Sequence, residues 1–411
     1  MQDSKQDIFK GLLLGLAVTA ILVGANKFWI EHTRFGHRLE TLSFELFQGQ
    51  FSAFNPEEEL PVVVVDISDM PLKDGKKDRE KLGEVIAAIA EQEPYAIGVD
   101  IVLSPENGKW RTGADPELIN LCLELTKKGV PVFLGVDSEM PLEEPSAWLG
   151  DERFEEMAAV IAIYKEDAKR IPLWARDKNQ AKKLPSINFA LAGIGKKHNQ
   201  EEVRPPGWLA WALETVDNFP GRIESERDLE YADALVNYSK LEAIEQTKLL
   251  NISAASVKEF RQKFRRRIVV LGNGTREKAS DNFIVPGRAE TVPGVYVHAC
   301  AAYTLMHEPV YEFKPTVRLA FDILFSALVL SVVAAIRWQR RADKTAFDWH
   351  KFQRKLVWRG SFFILVMAVI LVRVAHVLWL DLIFIVIALL LHPWLESKLT
   401  LFSKGIRLLP G

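Results

Sequence analysis

The stretch PVVVVDISD, residues 61–69, decides how the rest of the chain is read. Four consecutive valines present β-branched apolar side chains to both sides of the pleat, which is the pattern of a strand covered on both faces. They run directly into two carboxylates, Asp66 and Asp69. The same pattern returns at residues 96–103 (AIGVDIVL), where Asp100 comes late in the apolar run. Between them, DREKLGEVIAAIAE (78–91) places Leu82, Val85, Ile86 and Ile89 at helical spacing. A second helix is expected over 116–128 and a third strand over 132–136, followed by Asp137. A fourth strand, 268–271, closes on Gly-Asn-Gly-Thr, and a last helix covers 294–307. This rhythm of strand, helix and strand predicts an α/β fold with a Rossmann-like, mostly parallel sheet. Ligands of such sheets sit beyond the carboxyl ends of the strands. That placement accounts for the aspartates: the chain leaves the dry sheet and meets water there.

Outside this core the composition changes. Of 411 residues, 48% are hydrophobic, and the excess lies at the two ends of the chain. The net charge of −2 gives no basic face for nucleic acid. Two cysteines, Cys122 and Cys300, sit in apolar helical text and read as buried free thiols, with a single disulfide as the alternative. Residues 140–230 break the alternation and read as an insertion containing a helix in LPSINFALAGIG (184–195). Residues 31–55 read as an amphipathic helix, and 257–267 as a basic one.

The apolar ends predict four membrane helices. Residues 1–30 form an uncleaved anchor, with Phe28-Trp29 at the interface. A second span covers 315–337, followed by a linker, 338–359. Residues 337–359 carry eight Lys or Arg against two Asp, which places this stretch in the cytoplasm. The nearly unbroken run from 362 to 391 would be about 45 Å long as one helix, too long for one crossing. It is read as a hairpin within 360–394, with helices over 360–376 and 378–394 and a cytoplasmic tail over 395–411. The hairpin keeps Arg373, His376 and Asp381 at the far interface, out of hydrocarbon. Residues 31–314 then lie outside the inner (plasma) membrane of a bacterium, in the periplasm or beyond.

The ordered blocks VVVVDISD, Arg79 at a helix start, AIGVDIVLS, LPSINFALA, LVNYSKL (235–241), RRRIVVLGNGT ending at Thr275, SDNFIVP and VPGVYVHACAAYTLM resemble the type-two CHASE domain. This family is an extracytoplasmic sensory module of bacteria with one membrane helix before it and three after it. The resemblance covers about residues 60–310. It departs at LKDGKKD (72–78), which replaces the family's tryptophan-proline run, and at Val285-Pro286, which replaces Thr-Pro. Such domains often precede a cytoplasmic output domain. Here about 17 residues follow the last expected span, so the output is expected from a separate protein.

The candidate ligand site is Asp66, Asp69, Arg79, Asp100, Asn273, Asp281 and His298. Converging carboxylates suit Ca²⁺, Mg²⁺ or a cationic or polar ligand. The plain alternative is that they cap strand and helix ends, and no metal is assigned. Gly272-Asn273-Gly274-Thr275 follows a strand like a phosphate loop but lacks the Gly-Lys-Ser/Thr that completes one. No catalytic spacing emerges, so neither an enzyme nor a cofactor is expected. A second group, Arg318, Asp322, Arg373, His376 and Asp381, is a candidate polar network coupling the domain to the membrane bundle; snorkelling side chains are the alternative. Together these readings predict a membrane-anchored sensor or binding protein. It detects a ligand or envelope partner and relays the change to a separate cytoplasmic or membrane signalling or assembly partner. Membrane lipid is a further partner and self-association is left open. A structural scaffold subunit of an envelope complex and an extracytoplasmic hydrolase are the alternatives.

Overall fold

The computed structural model describes residues 33–51, 60–103, 110–136, 157–161, 163, 168–176, 183–198, 213–214, 233–249, 254–257, 260–279, 281–307, 309–314, 316–321, 323–324, 349–378 and 386. Two compact units emerge. One comprises Phe51–Arg204 and Thr215–Tyr311, and the other Met1–Gln50, Pro205–Glu214 and Glu312–Gly411.

The first unit is built on five parallel strands: β1 (Val62–Asp66), β2 (Ala96–Val99), β3 (Val132–Val136), β4 (Ala158–Val160) and β5 (Ile268–Gly272). Their order across the sheet is β1-β5-β2-β3-β4. Five helices cover it: α1 (Arg79–Ala90), α2 (Asp115–Lys127), α3 (Ile187–His198), α4 (Leu241–Gln246) and α5 (Gly294–His307). Side chains alternate across the pleat. Val63, Val65, Ile97, Val99, Val132, Leu134, Val269 and Leu271 join the core with Leu82, Ile86 and Ile89 of α1 and Leu118, Ile119 and Cys122 of α2. Val62, Val64, Ile268 and Val270 are equally buried but lie outside that cluster, on the face where α5 packs on β1 and β5 and α3 on β2 and β3. Thirteen of the fourteen residues of α5 are buried, so it is a core helix, not an amphipathic one. Neither face of the sheet meets water, which is why valine could fill both sides of β1.

Local chemistry fixes the helix starts. Asp78 caps α1 by accepting from the N–H groups of Glu80 and Lys81. At α2, Pro116 falls in the first turn, where its missing N–H is not needed. The expected helix over 257–267 is instead two single turns, Ala254–Val257 and Arg261–Phe264. Arg266 then adopts φ 55°, which directs the chain into β5. Strand β2 ends at Val99, earlier than the sequence predicts, although Asp100 N–H still donates to Leu271 O at 2.7 Å. The fifth strand, β4, falls inside the stretch read as an insertion. Cys122 and Cys300 are buried free thiols on α2 and α5.

The second unit holds helix Arg34–Phe51 and a small sheet of Leu213–Glu214, Tyr311–Phe313 and Val377–Leu378, in that order across the sheet. It also holds helix Trp349–Ala375, so the end of the stretch read as a linker continues as helix into the third expected span. Residues 358–375 form the one candidate membrane span among the described residues. Ser361, Ile364, Ala368, Val372 and Ala375 are buried, while Trp358, Phe362, Phe363, Ile370 and Val374 are exposed. Large apolar side chains on the outward face suit a helix whose surroundings are lipid. No proline or glycine ends it; His376 adopts φ 53° and its N–H donates to Val372 O at 3.1 Å. The next two residues pair with Tyr311–Phe313 in the small sheet. The expected first span and most of the expected second and fourth lie outside the described residues.

Candidate functional site

At the carboxyl ends of β1, β5 and β2 the strand-end residues have very different surroundings. Asp66 is saturated. Its Oδ1 accepts from Ser68 N at 2.8 Å, Ser68 Oγ at 2.5 Å and Gly274 N at 2.8 Å. Its Oδ2 accepts from Thr275 Oγ1 at 2.9 Å and faces Lys248 Nζ at 2.9 Å. Burial pushes this carboxyl upward, but the bonds from Ser68, Lys248 and Gly274 outweigh it and hold the pKa down at about 2. The glycine-rich loop therefore behaves like an anion cradle whose occupant is supplied by the chain itself. Glycine at 274 is required by contact: a Cβ there would sit 3.1 Å from Asp66 Cγ and 3.0 Å from Tyr296 Oη. Asp66 reads as a structural clamp that ties β1 to the loop after β5.

Asp69 and Arg79 are also committed. Asp69 pairs with Lys278 at the surface. Lys77, on the hairpin 72–77, donates to Ile67 O and Ser68 O, both at 2.8 Å, and so fastens the loop after β1. Arg79 lies in the layer of α1 and α2, where Nε meets Asp115 Oδ1 at 2.8 Å with both side chains buried. The structure does not bring Arg79 to the other candidates. Asn273 is half-buried, and its Oδ1 has no hydrogen-bond partner. Asp137 lies outside the described residues.

Asp100, Asp281 and His298 form the remaining group. Asp100 Oδ1 stands 3.8 Å from His298 Nε2, too far for a hydrogen bond, and both side chains are buried. His298 Nδ1 has no partner either. Among the described residues the Asp100 carboxyl accepts no hydrogen bond and faces no lysine or arginine. Burial, reinforced by the negative charge of Asp281, holds its pKa well above the usual carboxylate range. Burial also pushes the His298 pKa down to about 3, so the ring is neutral. The backbone N–H of Gly294, which opens α5, donates to Asp281 O at 3.1 Å and anchors this segment beside the helix start. This is a dry acid and a dry base, side by side and unbonded, at the end of the sheet where ligands are expected. No group of three or more His, Cys, Asp or Glu among the described residues could hold a metal ion.

Gly272 lets β5 pack closely against this corner. A Cβ there would lie 2.8 Å from Val295 Cγ2 and 3.0 Å from Asp100 Oδ2. Gly272→Ala is expected to cost about 1–3 kcal/mol, because β5 and α5 are both in the core and cannot part freely. Thermal unfolding of the full chain measures it.

His298 also sets a pH dependence. Its folded pKa lies below 6.5, so its contribution to stability is fully present above pH 6.5 and declines as the pH falls toward about 3. His298→Gln is expected to lose that part of the acid sensitivity, read as the slope of unfolding free energy against pH.

Among the candidate coupling residues, Arg318 lies on the helical stretch 316–321, and Arg373 is in the last turn of the span, directly before His376 and the strand pair. Asp322 and Asp381 lie outside the described residues. Phe313, in the strand before Arg318, packs against Phe321 with ring centroids 5.0 Å apart.

The sequence model of the CHASE2 domain matches residues 15–335. The chain belongs to the CHASE2 family. CHASE2 domains are extracytoplasmic sensory domains, and the chain carries one with an apolar helix able to cross a membrane beyond it. No curated protein and no solved structure matches this CHASE2 chain. Sequence reasoning had no means of ranking the acidic residues of the CHASE2 domain. Lys248, Lys278 and Asp115, which neutralise three of the candidates, carry no motif of their own.

Proposed function

We propose that this CHASE2 protein is a membrane-anchored sensor whose external domain binds a ligand at Asp100 and His298. The change passes to a separate partner through the membrane helices. The observation that carries the reading is the contrast among the strand-end acids: Asp66 and Asp69 have ammonium partners, and Asp100 has none among the described residues. An unpartnered buried acid is costly to keep and marks a functional site more often than a structural one. The relay reading is supported by the small sheet of the second unit, in which Tyr311–Phe313 pairs with Val377–Leu378, just past the span.

Two measurements test this. An impermeant thiol reagent applied to intact cells is expected to label Asp74→Cys on the hairpin but not Lys344→Cys. The opposite pattern removes the external assignment. Fractions of periplasmic small molecules are expected to include one that raises the melting temperature of the full chain and fails to do so in Asp100→Asn, by the linkage of binding to stability. A shift that survives in that variant moves the ligand elsewhere.

A further inference from the structure

The chemistry that Asp100 lacks defines what it can take. Its side chain is 6% exposed and that of His298 2%, so the pair can be reached only at its edge. The titratable groups that face Asp100 are His298 on α5 and Asp281 on the segment before it. The site offers acceptors: two carboxyl oxygens and one lone pair of the neutral imidazole. Its environment is negative because of Asp281. The nearby cations of this end of the sheet are already engaged: Lys248 with Asp66, Lys278 with Asp69, Arg276 with Glu290 and Arg288 with Glu245. The described residues provide no metal-binding group. A buried histidine aimed at a carboxyl, with neither group hydrogen-bonded, calls for a donor that also carries charge.

We propose that Asp100 and His298 receive the protonated amino group of a small primary amine. This rests on the sensor reading above and names its ligand class. An alkylammonium carries three N–H donors on one positive centre. Two can satisfy the carboxylate and one the imidazole lone pair, while Asp281 adds attraction. For a protonated Asp100 the exchange balances: the carboxyl and the ammonium become a carboxylate–ammonium pair, and one proton leaves to solvent. A charge buried with its partner replaces a neutral acid with none. Gly272 lets β5 pass close to the pair, since a Cβ there would lie 3.0 Å from Asp100 Oδ2.

The test uses the full chain in detergent micelles, with methylammonium chloride as probe and sodium chloride at the same concentration as control. Methylammonium at ten times its Kd is expected to raise the melting temperature by roughly 3–5 °C. Sodium, which has no N–H to donate, is expected to leave it unchanged. Titration calorimetry in two buffers of different ionisation enthalpy is expected to show about one proton released per amine bound near pH 7. The apparent affinity is expected to rise with pH while Asp100 remains protonated in the free chain. Asp100→Asn is expected to abolish the shift. Should that variant fail to fold, Asp281→Asn is expected to weaken the affinity several-fold. An equal response to sodium, absence of proton release, or an unchanged affinity in the variant that folds overturns the proposal. An amine response with no amine-dependent change in co-purifying partners keeps this inference and removes the relay reading. A different molecule giving an Asp100-dependent shift, with none from methylammonium, does the reverse.

Discussion

Asp115→Ala is expected to lower the stability of the full chain by about 3–5 kcal/mol, seen as a large fall in the urea or thermal midpoint. The reason is what it leaves behind. Arg79, at the start of α1, is buried; its Nε bonds Asp115 Oδ1 at 2.8 Å, and Nη1 already lacks a partner. Removing the carboxylate strands a full positive charge in a dry layer. It also frees Thr112 N–H, which now donates to Asp115 Oδ2 at 2.8 Å. The double replacement Arg79→Met with Asp115→Leu is expected to recover most of the loss, because burying an ion pair is expensive to begin with. If the single variant is as stable as the parent, the pair contributes no structure. If the double variant is no better than the single, Arg79 has a role other than pairing.

The second large effect belongs to Asp66. Asp66→Ala removes the common acceptor of Ser68, Gly274 and Thr275 and the counter-ion of Lys248. Each buried donor left unpaired costs about 1–3 kcal/mol, so a loss of about 3–5 kcal/mol is expected, with loosening of the loop after β5 visible as faster amide exchange at Gly274 and Thr275. The wild-type carboxyl gives a second readout. Its folded pKa is depressed from 3.8 to about 2, so its stabilisation is present above pH 3.8 and is lost as the pH falls toward 2. That amounts to about 2 kcal/mol. The His298 contribution disappears over a higher range, from pH 6.5 toward about 3. Asp66→Asn is therefore expected to flatten the profile only at its acid end, and His298→Gln only above it. A profile in Asp66→Asn that matches the parent below pH 3.8 removes Asp66 as an acid-sensitive clamp.

Several elements were legible in the chain without its structure. Four valines in a row required a strand covered on both faces, and Val62–Asp66 is such a strand. The apolar spacing at 82, 85, 86 and 89 required a helix facing the core, and those residues of Arg79–Ala90 are all buried. These signals are local: periodicity and burial are written within a dozen residues. Strand 158–160 was not legible, because three residues in a charged stretch carry too little pattern. The turn after the span at His376 had no proline or glycine to announce it.

The order of amino acids by itself determined that this chain has a parallel, doubly covered sheet, apolar ends, and carboxylates where the strands stop. Only the tertiary structure decided that β5 lies between β1 and β2, and with it what each carboxylate meets. Asp66 draws its donors from Gly274 and Thr275, Arg79 draws its counter-charge from Asp115, and Asp100 is left beside His298 with neither. The physical reason is that the energy of a charge depends on its neighbours in space. Those neighbours lie tens to hundreds of residues away along the chain, beyond the reach of any local pattern.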